Sequence, residues 1–329
     1  MLAKPIYSGI GHVLLFHRVC PDNGSEKSIW CKGLEVTPAY LEEVIRYFID
    51  QKYEAISLDR LVEVLKQKKR EKKYVVFTFD DGYVDNLIYA YPIFKKYNIP
   101  FAIYVTTGFV DRQAIMWTDA LNDFVYSSDR IAFKLDNESF DFYCPSNKAK
   151  EDTLLKIRAL IRGCDRQEGL ERIKQIFSSC KNDPLIKTDE LSFTWDQIIN
   201  LSKDPLVTIG AHTVNHLLLN NLTRAVVKEE MLGSKERLEA KLNCEIRHLS
   251  YPYGGRGEIG KKEIEIAKEC GFTTAVTTRS ANVFLEHLDH LQSIPRFNMG
   301  KEVGAQKLAF LTSGFTHCIQ NRFKRVVTL

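Results

Sequence analysis

Seven short runs rich in β-branched and aromatic residues, separated by longer amphipathic segments, restrict this chain's choice of fold more than any other feature. They are His12–Val19, Tyr53–Ser57, Tyr74–Asp80, Phe101–Thr106, Leu206–Ala211, Arg247–Tyr251 and Thr273–Thr278. Most are apolar without strict alternation, the pattern of strands buried on both faces of a parallel sheet. Between them, Pro38–Gln51, Leu58–Lys69, Asn86–Tyr97, Arg224–Leu242 and Glu258–Cys270 repeat apolar residues at helical spacing. Thr37 before Pro38 and Thr223 before Arg224 read as N-caps, and Gly271 reads as a helix stop. This alternation predicts an α/β fold, and the strand count predicts a distorted (β/α)7 TIM-like barrel.

The alternation breaks between about residues 112 and 204, where a hairpin (Ile131–Tyr143) and two helices (Lys148–Arg162 and Gln167–Lys181) are expected. Strands resume at Leu206, so residues 1–329 read as a single barrel domain carrying a mainly helical insertion. Hydrophobic residues at 44% and charged residues at 27% match a chain able to bury a large core. The 46 basic and 42 acidic residues are dispersed, and the cluster Lys66–Lys73 is broken by Gln67 and Glu71. That distribution argues against a nucleic-acid partner. The eight cysteines stand singly, without a Cys-x-x-Cys pair, and are expected as free thiols. The first residues lack a continuous apolar leader and no run reaches membrane-span length, from which a cytoplasmic location is expected. The stretch Asn321–Val327 mixes basic and apolar residues and fits either a solvated tail or peripheral contact with an anionic membrane face.

Three segments carry groups able to do chemistry. Val75–Tyr83 is an apolar strand ending in Asp80, Asp81 and Gly82. Catalytic residues of barrels sit where such strands end, and adjacent carboxylates in a partly buried place repel unless a cation joins them. A turn that caps the next helix explains the same residues equally well. Val207–His216 is a second strand, running into His212 and His216, whose four-residue spacing lets both imidazoles face one metal from a single helical turn. With Asp81 they offer two nitrogens and one oxygen and leave a position open, although histidines that merely hydrogen-bond at a helix start are commoner. Leu249–Gly255 turns sharply at Pro252, Gly254 and Gly255, and can present a backbone N–H to a developing oxyanion or serve as a plain structural turn.

Taken in order, Thr78–Gly82, His212–His216 and Tyr251–Gly254 resemble the first three motifs of the polysaccharide deacetylases of carbohydrate esterase family 4, the NodB homology group. The resemblance implies a distorted barrel with one divalent ion, most often zinc, that removes N-acetyl or O-acetyl groups from sugars. It implies Asp80 as general base, Asp81, His212 and His216 as metal ligands, and the Tyr253 N–H as oxyanion donor. Where many members carry an arginine that orients the base, this chain has Ser250, and Arg296 is the candidate replacement. The late Leu-x-His motif has only formal matches, at His287 and His290, in a polar stretch. Val13–Val19 instead resembles the opening strand of circularly permuted members, which puts His17 in the place of the acid. The expected partner is an N-acetylated glycan of the cell envelope or its lipid-linked precursor. Trp117, at the start of the insertion, reads as a packing anchor or as a platform for a sugar ring. An amidohydrolase for a small non-sugar amide, a non-catalytic glycan-binding protein and a scaffold are the competing readings.

Overall fold

The structure, a computed structural model, describes residues 7–328 apart from residues 23, 25, 69, 70, 163, 165, 179–182 and 301. The expected helix ends at Lys69 and Lys181, and the thiols of Cys180 and Cys318, lie outside the described residues; the other six cysteines are free.

All of the expected strands occur, in one parallel sheet: β1 (Gly11–Phe16), β2 (Tyr53–Ala55), β3 (Lys73–Phe79), β4 (Phe101–Val105), β5 (Val207–Ala211), β6 (His248–Ser250) and β7 (Thr274–Val276). An eighth, β8 (Phe297–Asn298), is too short to carry a pattern of its own. The order is β7-β6-β5-β4-β3-β1-β8, with β2 on β3. Between β7 and β8 the sheet is bridged by Ile294, which donates to Ala275 O at 3.0 Å and accepts from Thr277 N at 2.9 Å. Three residues later Phe297 pairs with Leu14 of β1. The segment Ile294–Asn298 therefore touches both edges, and the sheet curls into a distorted (β/α)7 barrel.

Side-chain alternation assigns the two faces of the strands. Leu14, Phe16, Val75, Phe77 and Phe79 pack with Leu41, Val44 and Phe48 of the helix Pro38–Asp50, whose first turn is capped by Thr37 Oγ1 accepting from Tyr40 N. Phe94 and Phe101 stack at 4.3 Å against Phe77 and Phe79. Val13, Tyr74, Val76, Ala102 and Tyr104 form a second cluster with Val276 and Ile294. Each fully buried Val, Leu, Ile or Phe among them stabilises the fold by about 1.5–3 kcal/mol.

The first expected strand is interrupted at His17, after which Arg18–Val19 pairs with Glu35–Val36 rather than with the barrel. Arg18 lies at a junction: its guanidinium binds Asp85 at 2.9 Å, Glu35 at 2.9 Å and Asp119 at 3.2 Å. Burial pushes the Asp85 carboxyl up to about 6 despite that partner. Asp119 belongs to the insertion, so this cluster ties it to the barrel. The insertion holds the expected hairpin (Arg130–Leu135 with Glu138–Tyr143) and helices Asn147–Ile161 and Arg166–Phe177 around its own cluster of Leu121, Ile131, Phe133, Ile157 and Ile176. Three shorter helices there, Trp117–Tyr126, Pro184–Leu191 and Trp195–Leu201, were not anticipated. Each spans at most three turns, too few to show periodicity.

Gly210 of β5 has no room for a side chain: a Cβ would lie 2.5 Å from Cδ1 of the enclosed Tyr104 ring and 3.0 Å from His248 O. Gly210→Ala is expected to lower stability by about 1–3 kcal/mol through overpacking, seen as a reduced unfolding midpoint; an unchanged midpoint would contradict this packing.

Candidate active site

Asp80 continues the ladder beyond β3, its N–H donating to Phe16 O at 3.0 Å. Asp81 then takes a left-handed backbone, with φ 72, and Gly82 follows with φ 78. The turn sends the two carboxylates to different partners. Arg296 grips Asp80 with both ends of its fork, Nη1 to Oδ1 and Nη2 to Oδ2 at 2.7 Å each. Ser250 Oγ donates to Asp80 Oδ2 at 3.0 Å and accepts from Arg296 Nη2 at 2.9 Å. Arg296 is fully enclosed and donates its Nε–H to Thr277 O at 3.1 Å. Burial opposes charge on Asp80, but the Arg296 guanidinium and then His212 outweigh it and hold the carboxyl below its usual range.

His212 follows β5, its N–H still donating to Val105 O. Nδ1 of its ring is 2.7 Å from Ser250 O. A carbonyl can only accept, so Nδ1 carries a proton and Nε2 is the nitrogen turned toward Asp81. The segment from His212 to His216 is not the expected helical turn. Thr213 and His216 have φ 63 and φ 56, and Thr213 Oγ1 accepts from His216 N at 3.1 Å. The rings approach to 4.9 Å because the backbone reverses, not because it coils. Left-handed backbone at β-branched Thr213 costs energy, and such strain collects at functional sites. Buried Glu230, on the helix Arg224–Leu242, holds the loop by accepting from Val214 N at 3.1 Å, Asn215 N at 2.8 Å and Asn215 Nδ2. Glu230 was not anticipated. Its signal was an acid beside Val227 and Met231 on the inward side of that helix.

Nε2 of His212 and Nε2 of His216 both lie 3.3 Å from Asp81 Oδ1. That oxygen is buried and accepts no hydrogen bond among the described residues. Ligand atoms from all three residues fall within 4.8 Å of one another. Burial pushes the His216 imidazole down to about 4, leaving it neutral with its lone pair available. Two imidazole nitrogens and one carboxylate oxygen, gathered around an unsatisfied buried anion, fit a divalent transition metal.

Tyr253 sits at φ 61 in the turn after β6, and its carbonyl accepts from Thr278 Oγ1 at 2.7 Å. Gly254 follows at φ 63, where a Cβ would lie 2.8 Å from Thr278 N. The Tyr253 N–H donates to no acceptor among the described residues, and its ring lies 5.0 Å from that of His216. His17 Nδ1 is buried with no hydrogen-bond partner among the described residues, while its carbonyl accepts from Asn86 Nδ2 at 2.8 Å. Burial lowers the pKa of His17, against the pull of Asp81 and Asp80. His17, Asp80, Asp81, His212, His216 and Tyr253 all line one cleft of about 420 Å³, whereas Arg296 lies behind Asp80. Trp117 reaches the same cleft and also packs on the insertion's cluster. His287 is buried against Phe284, and neither it nor His290 lines the cleft. Trp30 and Arg158, which do line it, carry no motif that would have marked them.

Comparison with known proteins shows the family. The family model described as polysaccharide deacetylase matches residues 67–275. The Bacillus subtilis (strain 168) protein YxkH, whose name assigns it provisionally to the polysaccharide deacetylases, is 20% identical over 267 residues, or 81% of this chain. The match spans 63% of that relative's length. Among solved structures, the Streptococcus pyogenes deacetylase PplD in complex with acetate is similar with a TM-score of 0.59 at 18% identity, covering 92% of this chain and 97% of that one. A de-N-acetylase from Aggregatibacter actinomycetemcomitans gives a TM-score of 0.59 at 16% identity, covering 92% and 99%. The family match takes in β3 to β7 with the Asp-Asp pair, both histidines and the Tyr251–Gly254 turn, and on that ground the chain belongs to the polysaccharide deacetylase family.

Proposed function

We propose that this chain, a single barrel carrying an insertion, is a metal-dependent deacetylase that removes N-acetyl or O-acetyl groups from a sugar of a cell-envelope polysaccharide or its lipid-linked precursor. The observation that carries the reading is the buried, unsatisfied Asp81 Oδ1 between two imidazole Nε2 atoms, beside an ionised carboxylate held by Arg296. Asp81, His212 and His216 would hold the ion, most simply Zn2+. When bound, that ion would lower the pKa of a water and polarise the acetyl carbonyl.

Asp80 takes the proton of that water. Because Arg296 depresses its pKa, Asp80 is a weak base, able to act only on a water already made acidic. Arg296 positions Asp80 and keeps it charged. The Tyr253 N–H donates to the oxyanion that forms on the carbonyl oxygen. His17 gives a proton to the leaving amine, in the role of acid that a circularly permuted arrangement assigns to it. Burial makes its imidazolium a stronger acid than usual, which suits donation once it is charged.

Trp117 in the cleft wall supports a sugar substrate, with an aromatic face available for stacking. Among the described residues no helix is long and apolar enough to cross a membrane. We place the enzyme in the cytoplasm, at the inner membrane face. Exposed Phe310, Phe315, Ile319 and Phe323, close in sequence to Arg322 and Lys324, support peripheral contact there.

Acetate release from N-acetylglucosamine oligomers, with metal content measured on the same protein, tests this function. Asp80→Asn is expected to reduce kcat by about 10²–10⁴-fold while keeping the ion, and His212→Ala is expected to lose both; normal turnover in Asp80→Asn would refute the base assignment. A chelator should abolish acetate release and stoichiometric Zn2+ should restore it, whereas activity persisting without metal would exclude the metal role. Arg296→Lys keeps the charge but loses the fork, so the Asp80 pKa rises and the acid limb of kcat/KM should move to higher pH. An unmoved limb would show that Arg296 does not tune Asp80.

A further inference from the structure

The cleft holds a cation whose charge no described residue answers. Arg158, on the insertion helix Asn147–Ile161, is half-buried and lines the cleft, with its guanidinium carbon 3.5 Å from the centre of the Trp30 ring. Among the described residues it forms no ion pair and its side chain makes no hydrogen bond. Apart from Asp81, which faces the two imidazoles, the carboxylates around the cleft are matched. Asp80 has Arg296, Asp119 has Arg18 and the Tyr83 hydroxyl, and Glu258 has Arg162 at 2.9 Å. Glu151, two helical turns before Arg158, accepts instead from Ile29 N at 3.0 Å and from Tyr126 OH at 3.3 Å.

A guanidinium stacked on an indole has its plane fixed and its in-plane N–H donors free, the geometry suited to a forked contact with an oxyanion. Trp30 adds a second unanswered donor, since its Nε1 is buried and has no hydrogen-bond partner among the described residues. Burial without a counter-ion lowers the pKa of Arg158, a cost the folded chain does not recover internally. The position is close to the chemistry. Arg158 is within electrostatic range of the Tyr253 hydroxyl, and the Tyr253 ring is 5.0 Å from that of His216.

We propose that Arg158 binds an anionic substituent, a phosphate or a carboxylate, carried by the sugar whose acetyl group is removed. The inference rests on the deacetylase reading for the placement of that sugar, and it makes Arg158 a specificity-determining residue rather than a catalytic one. A purely structural Arg158 would only brace Trp30 and would leave selectivity unchanged.

Calorimetric titration of the zinc-loaded protein with N-acetylglucosamine, N-acetylglucosamine 1-phosphate and N-acetylmuramic acid tests it, in the wild type, Arg158→Gln and Arg158→Lys. One of the two anionic sugars should bind at least about 10-fold tighter than the neutral one, as a charge-assisted hydrogen bond provides. Whether it is the phosphate or the lactyl carboxylate identifies the group. The preference should vanish in Arg158→Gln and survive in part in Arg158→Lys. Equal affinities in the wild type would overturn the proposal, even if a variant fails to fold. So would a preference that persists in Arg158→Gln, because the anion would then sit on the metal or on Arg162. Acetate release from the two anionic sugars and from a neutral N-acetylglucosamine oligomer, measured on the same wild-type preparation, separates the two claims: no acetate from any of them with an Arg158-dependent preference sinks the deacetylase reading alone, and acetate without the preference sinks only the anion site.

Discussion

Neighbouring carboxylates at the mouth of a barrel repel each other and lose hydration together, and the rest of the site follows from how that cost is met. Asp80 and Asp81 are divided by a left-handed backbone at Asp81, so the two side chains turn to different partners. Asp80 receives a fully enclosed guanidinium. Removing one member of such a pair costs about 3–5 kcal/mol, since the other charge is left buried alone. Asp81 receives only two imidazoles, of which His216 is held neutral by burial. The protein thus neutralises one acid and, among the described residues, leaves an oxygen of the other unsatisfied.

The barrel's closure is coupled to this arrangement. Arg296 lies two residues beyond Ile294, which bridges to β7, and one residue before β8, which pairs with β1. The short segment that joins the two edges of the sheet therefore also delivers the counter-charge to the end of β3. Ser250, at the end of β6, serves both sides: its hydroxyl donates to Asp80 and its carbonyl orients His212. Its small side chain leaves room for a guanidinium arriving from elsewhere.

What the sequence displays is local, and what it hides is distant. The strand runs, the Asp80-Asp81 step and the His212/His216 spacing are all visible within windows of ten residues. The clamp between Arg296 and Asp80 spans 216 positions and has no periodic signature; only the unusual Ser250 hinted that a base would need another partner. The histidine pair shows the opposite failure. Its spacing suits a helical turn, yet Thr213 and His216 adopt left-handed backbone, and buried Glu230 supplies the hydrogen bonds that hold the loop there. Tertiary bonding overrode local preference. Trp30 and Arg158 reach the cleft from segments with no chemistry-bearing motif, so only packing reveals them.

X-ray absorption at the zinc edge, on protein carrying one equivalent of Zn2+, tests the central claim most directly. The account predicts a shell of nitrogen and oxygen atoms at about 2.0–2.2 Å, with outer-shell scattering from two imidazoles that falls to one in His216→Ala. A zinc environment containing sulfur, or one unaltered when His216 is replaced, would contradict it.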